Sequence, residues 1–198
     1  MGSASACPCV IGVSSPSVEE GVPASAIPRT SMNAANPESP VDDRFFEDYV
    51  PGASAVFGPI PVTEADIIEF AVRYDPQPIH VDPAAATAGP FGGLIASGWH
   101  TVGLVMRVLV ERFLARGAAL ASPGVDELRW LKPVRPGDSL RVRVTVLTAI
   151  RSRSKPDRGL VRTSIEAVNQ RGEVVMSMTA MNLFKCRSTS VDANPNSQ

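Results

Sequence analysis

Hydrophobic periodicity along the chain is strong enough to predict two helices and three long strands. Ile67, Phe70, Ala71 and Tyr74 recur at i, i+3, i+4 and i+7, the spacing of a helix with one buried face. Thr63 begins a capping-box pattern, with Asp66 three residues on, and marks the start of that helix. From Gly98 to about Arg116 a wider stripe runs through Trp99, Val102, Val105, Met106, Leu109, Val110 and Phe113, and Gly117 closes it. Leu104 and Val108 fall outside the stripe, so this helix is expected deep in the core, with a sheet curled around it.

Period-two alternation takes over further on. Leu140, Val142, Val144 and Val146 alternate with polar residues, and Val161, Thr163, Ile165 and Ala167 repeat the pattern. Asn169 to Gly172 make a tight turn into Val174, Met176, Met178 and Ala180, so the three strands form an antiparallel meander. Weaker signals predict a short strand over Glu127–Leu131 and an edge strand over Val56–Val62, the latter confined to an edge by Pro59 and Pro61. Asp82 is expected to cap a short helix with Pro83 at its first position and Gly89-Pro90 as stop. Phe45, Phe46 and Tyr49 anchor the chain to the domain, and Pro51-Gly52 then turns it.

Composition narrows the class. With 198 residues, 44% of them hydrophobic, the chain suits one domain with tails. Residues 1–42 are rich in Ser, Ala, Pro, Gly and Asn and read as a disordered extension, 43–186 as the domain, and 187–198 as a flexible tail. Met32 is a second candidate start. A net charge of −1 leaves no field for nucleic acid or a membrane surface. Three cysteines indicate no disulfide framework, and Cys7-Pro-Cys9 lacks the spacing of a zinc knuckle. Neither a run of eighteen apolar residues nor a secretory leader is evident, so a cytoplasmic protein is the default expectation. The basic stretch Arg151–Arg158 sits in a hairpin loop and is either a solvated loop or a surface for phosphates.

Candidate chemistry is concentrated between Tyr74 and Thr101, which holds both histidines. Pro76 ends the first helix at Asp75, and Pro76 and Pro78 stiffen the path to His80, favouring a carboxylate and an imidazole in one fixed relation. Ser97 precedes the long helix as an N-cap and leaves the Gly98 N–H free. A helix N-terminus carries about half a positive charge, suited to a carbonyl oxygen that gains negative charge in a reaction. His100, on the first turn, either lines the site or is simply packed or solvated. Trp99 is expected in the core, and Asp82 as a cap.

The order Asp-x-x-Pro-x-His-x-Asp, a small-residue spacer and Phe-Gly-Gly-x-Ile-Ala-x-Gly resembles the signature of MaoC-like enoyl-CoA hydratases and dehydratases. The resemblance runs from about Phe45 to Phe184 and implies an α+β hot dog fold, a long central helix wrapped by a curved antiparallel sheet. It also implies hydration of a trans-2-enoyl-CoA to an (R)-3-hydroxyacyl-CoA, or the reverse, with Asp75 and His80 catalytic. Gly98, Gly93 and Ser97 would then serve the oxyanion and substrate, with Gln77 and His100 as possible lining. Coenzyme A would enter as part of the substrate, with no metal or redox cofactor, and the chain would be a homodimer. Three positions depart from the usual pattern: Gln77 for Asn, Ser97 for a His, and Met106 for a serine. A hot dog thioesterase and a non-catalytic acyl-binding subunit of a heterodimer are the rival readings.

Overall fold

The computed structural model describes residues 41–187; the expected extension over 1–42, all but its last two residues, and the tail beyond Arg187 lie outside them. Two single 3-10 turns, Val41–Asp43 and Phe46–Asp48, lead into strand β1 (Ser54–Pro61). Helices α1 (Glu64–Tyr74), α2 (Pro78–Val81), α3 (Pro83–Ala88) and α4 (Gly98–Arg112) follow, and then strands β2 (Ala119–Trp130), β3 (Ser139–Arg151), β4 (Arg158–Val168) and β5 (Val174–Lys185).

The strands form one antiparallel sheet in the order β1-β3-β4-β5-β2, with the expected meander at its centre. The alternation read from sequence becomes the core face: Leu140, Val142, Val144, Val146, Val161, Ile165 and Ala167 are buried, together with Val105, Val108, Leu109 and Phe113 on and beside α4. β1 is an edge strand, where Pro59 and Pro61 leave no central ladder short of a donor. Thr63 caps α1 as its spacing predicts, accepting from the Asp66 N–H at 3.1 Å and donating to Asp66 Oδ2 at 2.6 Å.

Three elements differ from the sequence reading. α4 ends at Arg112 rather than Arg116, because Tyr49 captures its C-terminus: Tyr49 O–H donates to the Phe113 carbonyl at 2.9 Å and accepts from Ala115 N–H at 3.3 Å. The predicted stripe on α4 is also divided. His100, Thr101, Val105, Val108 and Leu109 face the core, whereas Trp99, Met106 and Val110 are exposed on the face the sheet does not cover. β2 starts eight residues before the predicted Glu127 and runs 12 residues. Its first half holds Ser122-Pro123-Gly124, a turn-like composition tolerated because β2 is the other edge and its register shifts between Ala121 and Gly124. α2 is a one-turn helix that periodicity could not reveal, since four residues are too few to carry a period.

Candidate active site

The site is assembled from the end of α1, the turn of α2 and the start of α4. Asp75 is the C-cap of α1, where the proline that follows stops the helix. Pro78 opens α2 and brings His80 around to face it, with His80 Nε2 3.5 Å from Asp75 Oδ2. Between α3 and α4, Phe91-Gly-Gly-Leu-Ile-Ala returns the chain to the same place, and the Ile95 carbonyl lies 2.8 Å from His80 Nδ1. A carbonyl can only accept, so Nδ1 donates to it, and in the neutral imidazole Nε2 is the nitrogen with the lone pair, on the side of Asp75.

Ser97 does two things. As N-cap of α4 it accepts from the Trp99 N–H at 3.2 Å, and its hydroxyl donates to Asp75 Oδ2 at 2.7 Å. Fully buried, it ties the helix start to the carboxylate. The other oxygen, Oδ1, accepts from Gln77 Nε2 at 2.7 Å. These donors, Gln77 first and then Ser97, hold the Asp75 carboxyl below the usual carboxylate range.

Asp75, Gln77 and His80 line a cleft of about 470 Å3 with Gly98, Thr101, Trp99, Trp130, Leu131 and Lys132. Gly98 is the first residue of α4, so its N–H has no acceptor within the helix. The Trp130 indole packs directly on it: a Cβ at Gly98 would fall 2.5 Å from Trp130 Nε1. Trp99 meets Trp130 edge to face, ring centres 5.4 Å apart. The cleft therefore offers a lone-pair base, an anion, a helix N-terminus and an aromatic wall. Among the described residues no group of three or more His, Cys, Asp or Glu side chains is placed to hold a metal ion.

Several sequence expectations are redistributed. Trp99, expected in the core, is 57% exposed at the rim of this cleft. His100 points elsewhere: it is buried, stacks on Phe70 at 5.0 Å, and lines a separate cleft of about 540 Å3 beside Leu104 and Arg107. Burial holds its imidazole below the ordinary histidine value, partly countered by Asp66. Gly93 is not an oxyanion donor, because its N–H is spent on the Ala86 carbonyl at 3.0 Å. Ser97 holds the carboxylate rather than lining the cleft. Asp82 caps α3, accepting from Ala84 and Ala85 N–H. In the basic loop, Arg151 pairs with Glu47 at 2.7 Å and Arg158 forks onto its neighbour Asp157. Thr101, Trp130 and Lys132 were not foreseen; the aromatic and the cation come from the far edge strand and its loop, a proximity no local spacing encodes.

Residues 48–170 match the MaoC like domain, more than half of the chain. The chain belongs to the MaoC-like family. It is 34% identical over 112 residues to a 3-hydroxybutyryl-CoA dehydratase of Methylorubrum extorquens, covering 56% of this chain and 69% of that protein. A crystal structure of a MaoC-like dehydratase from Rhodospirillum rubrum is 43% identical and superposes with a TM-score of 0.68, over 74% of this chain and 99% of that one. The R-hydratase PhaJ1 of Pseudomonas aeruginosa is 25% identical with a TM-score of 0.61, over 78% and 96% of the two chains. The five-stranded sheet and long helix are thus the hot dog fold of MaoC-like hydratases and dehydratases. No described helix is long and apolar enough to cross a membrane.

Proposed function

We propose that this MaoC-like chain is a lyase that adds water to trans-2-enoyl-CoA thioesters, giving (R)-3-hydroxyacyl-CoA, or removes it in reverse, with Asp75 and His80 as the acid-base pair. The observation that carries this reading is His80 Nε2 standing 3.5 Å from Asp75 Oδ2 in the cleft that Gly98, at the start of α4, also lines. The thioester oxygen accepts from Gly98 N–H, which draws electron density from the β-carbon; one such donor supplies about 2.7–4 kcal/mol. A water held by Asp75 forms its C–O bond at that carbon while its proton passes to His80 Nε2. The π electrons move to the α-carbon and thioester oxygen. His80 then returns a proton to the α-carbon, closing the balance with no cofactor beyond the coenzyme A of the substrate.

Donors on both oxygens weaken Asp75 as a direct nucleophile toward the thioester carbonyl and still leave it acceptor sites for a water. The chain is further proposed to work as a homodimer, since Trp99, Met106 and Val110 on α4 and Val125, Trp130 and Leu131 along the β2 edge leave apolar surface exposed. Crotonyl-CoA, with longer and branched enoyl-CoAs beside it, tests the reaction. Loss of the enoyl-thioester absorbance is expected with the parent chain, falling by about 100-fold or more in Asp75→Asn and His80→Gln. Free thiol release in its place would transfer the assignment to a thioesterase.

A further inference from the structure

The sequence departs from the usual family pattern at Gln77, and the structure gives that side chain a defined contact. Gln77 N–H donates to the Asp75 carbonyl at 2.8 Å, a three-residue reversal whose central φ Pro76 supplies. The reversal brings side chain 77 back to side chain 75, where Nε2 meets Oδ1 at 2.7 Å. Ser97 holds Oδ2 at the same distance from the N-cap of α4, and His80 approaches that oxygen from α2. The remaining ionisable side chain in the cleft lining is Lys132, which is paired with Glu173 at 2.5 Å.

A carboxylate turns freely about its last bond, so one donor does not fix its plane. Two donors on opposite oxygens do. They also oppose protonation: both bonds are stronger to the ionised carboxylate than to the acid, so a proton on either oxygen weakens them. We propose that Gln77 is a positioning residue, clamping Asp75 Oδ1 so that Asp75 stays an oriented anion and His80 alone carries the proton. The reaction half of this inference rests on the hydratase reading above.

Two variants test it. Gln77→Met keeps the length and removes the donor; Gln77→Glu places a second carboxylate beside the first. Loss of a donor destabilises the anion, so Asp75 takes up its proton at higher pH and activity is lost earlier on acidification. In Gln77→Met, kcat is expected to fall about 10- to 100-fold with KM changed by no more than about twofold. The acid limb of the kcat profile moves to higher pH, and further still in Gln77→Glu. Carbon-13 NMR titration of the Asp75 carboxyl reads the same clamp without turnover, and its midpoint is expected to rise in both variants. An unmoved acid limb together with an unmoved carboxyl midpoint in Gln77→Met overturns the proposal. A midpoint that rises in a protein hydrating no enoyl-CoA supports the clamp and overturns the reaction assigned to it.

Discussion

Single residues in this chain serve the site and the fold through the same contacts. Ser97 is both the cap of α4 and a donor to Asp75, so Ser97→Ala is expected to cost about 1 kcal/mol of stability, read as a lower urea midpoint at unchanged m, and also to reduce kcat. Tyr49 is the corresponding structural residue. It is buried against Phe113 and Phe184, bonded to the Phe113 carbonyl, and burial pushes its phenol up to about 12. A folded-state value above the unfolded one favours the protonated fold, so the contribution is complete below about pH 10 and is lost as pH rises toward the folded value. Tyr49→Phe should therefore lose about 1–3 kcal/mol at neutral pH and show a shallower fall in stability than the parent across that alkaline window. Asp75 and His80 were legible as a pair because Pro76 and Pro78 stiffen the path between them. Their partners were less so: Gln77 was visible two residues away, but its contact depends on the backbone reversal at Pro76.

Elements were legible in proportion to how far their neighbours matched their own periodicity. β3 and β4 lie inside the sheet with one face on the core, and every apolar position read from alternation is buried there. α4 is the opposite case. Apolar nearly all round, it gave no means of telling the face covered by the sheet from the face carrying Trp99, Met106 and Val110. Its N-terminus offers a direct optical test, because the chain has two tryptophans, Trp99 and Trp130, and both line the cleft. Binding of a saturated acyl-CoA is expected to change tryptophan emission saturably. In Gly98→Ala the added methyl collides with the Trp130 ring, so the free protein's emission should shift and hydration should fall together.

At the scale of the whole molecule, the edges of the sheet carry the remaining chemistry. β1 closes one edge with prolines, while β2 leaves the other open with Val125, Trp130 and Leu131 exposed. The proposed homodimer predicts twice the chain mass by sedimentation equilibrium. Val125→Lys, a charge set on that edge, is expected to shift the population toward monomer. A monomer at all working concentrations would return the exposed apolar face to the acyl site alone.

Local order along the chain determined the sheet meander, the helix that ends at Asp75, the cap at Ser97 and the nearness of His80, because each depends on residues within a few positions of one another. Short-range sterics, capping and periodicity are enough for that. What covers α4, where that helix stops, which cleft His100 enters and which aromatic rests on Gly98 were decided by tertiary packing. Tyr49 meets Phe113 across 64 positions and Ser97 meets Asp75 across 22, separations that no local pattern encodes. Gly93 and Trp99 left their expected places through packing as well: the N–H of one donates to the Ala86 carbonyl of α3, and the other lies exposed at the cleft rim against Trp130.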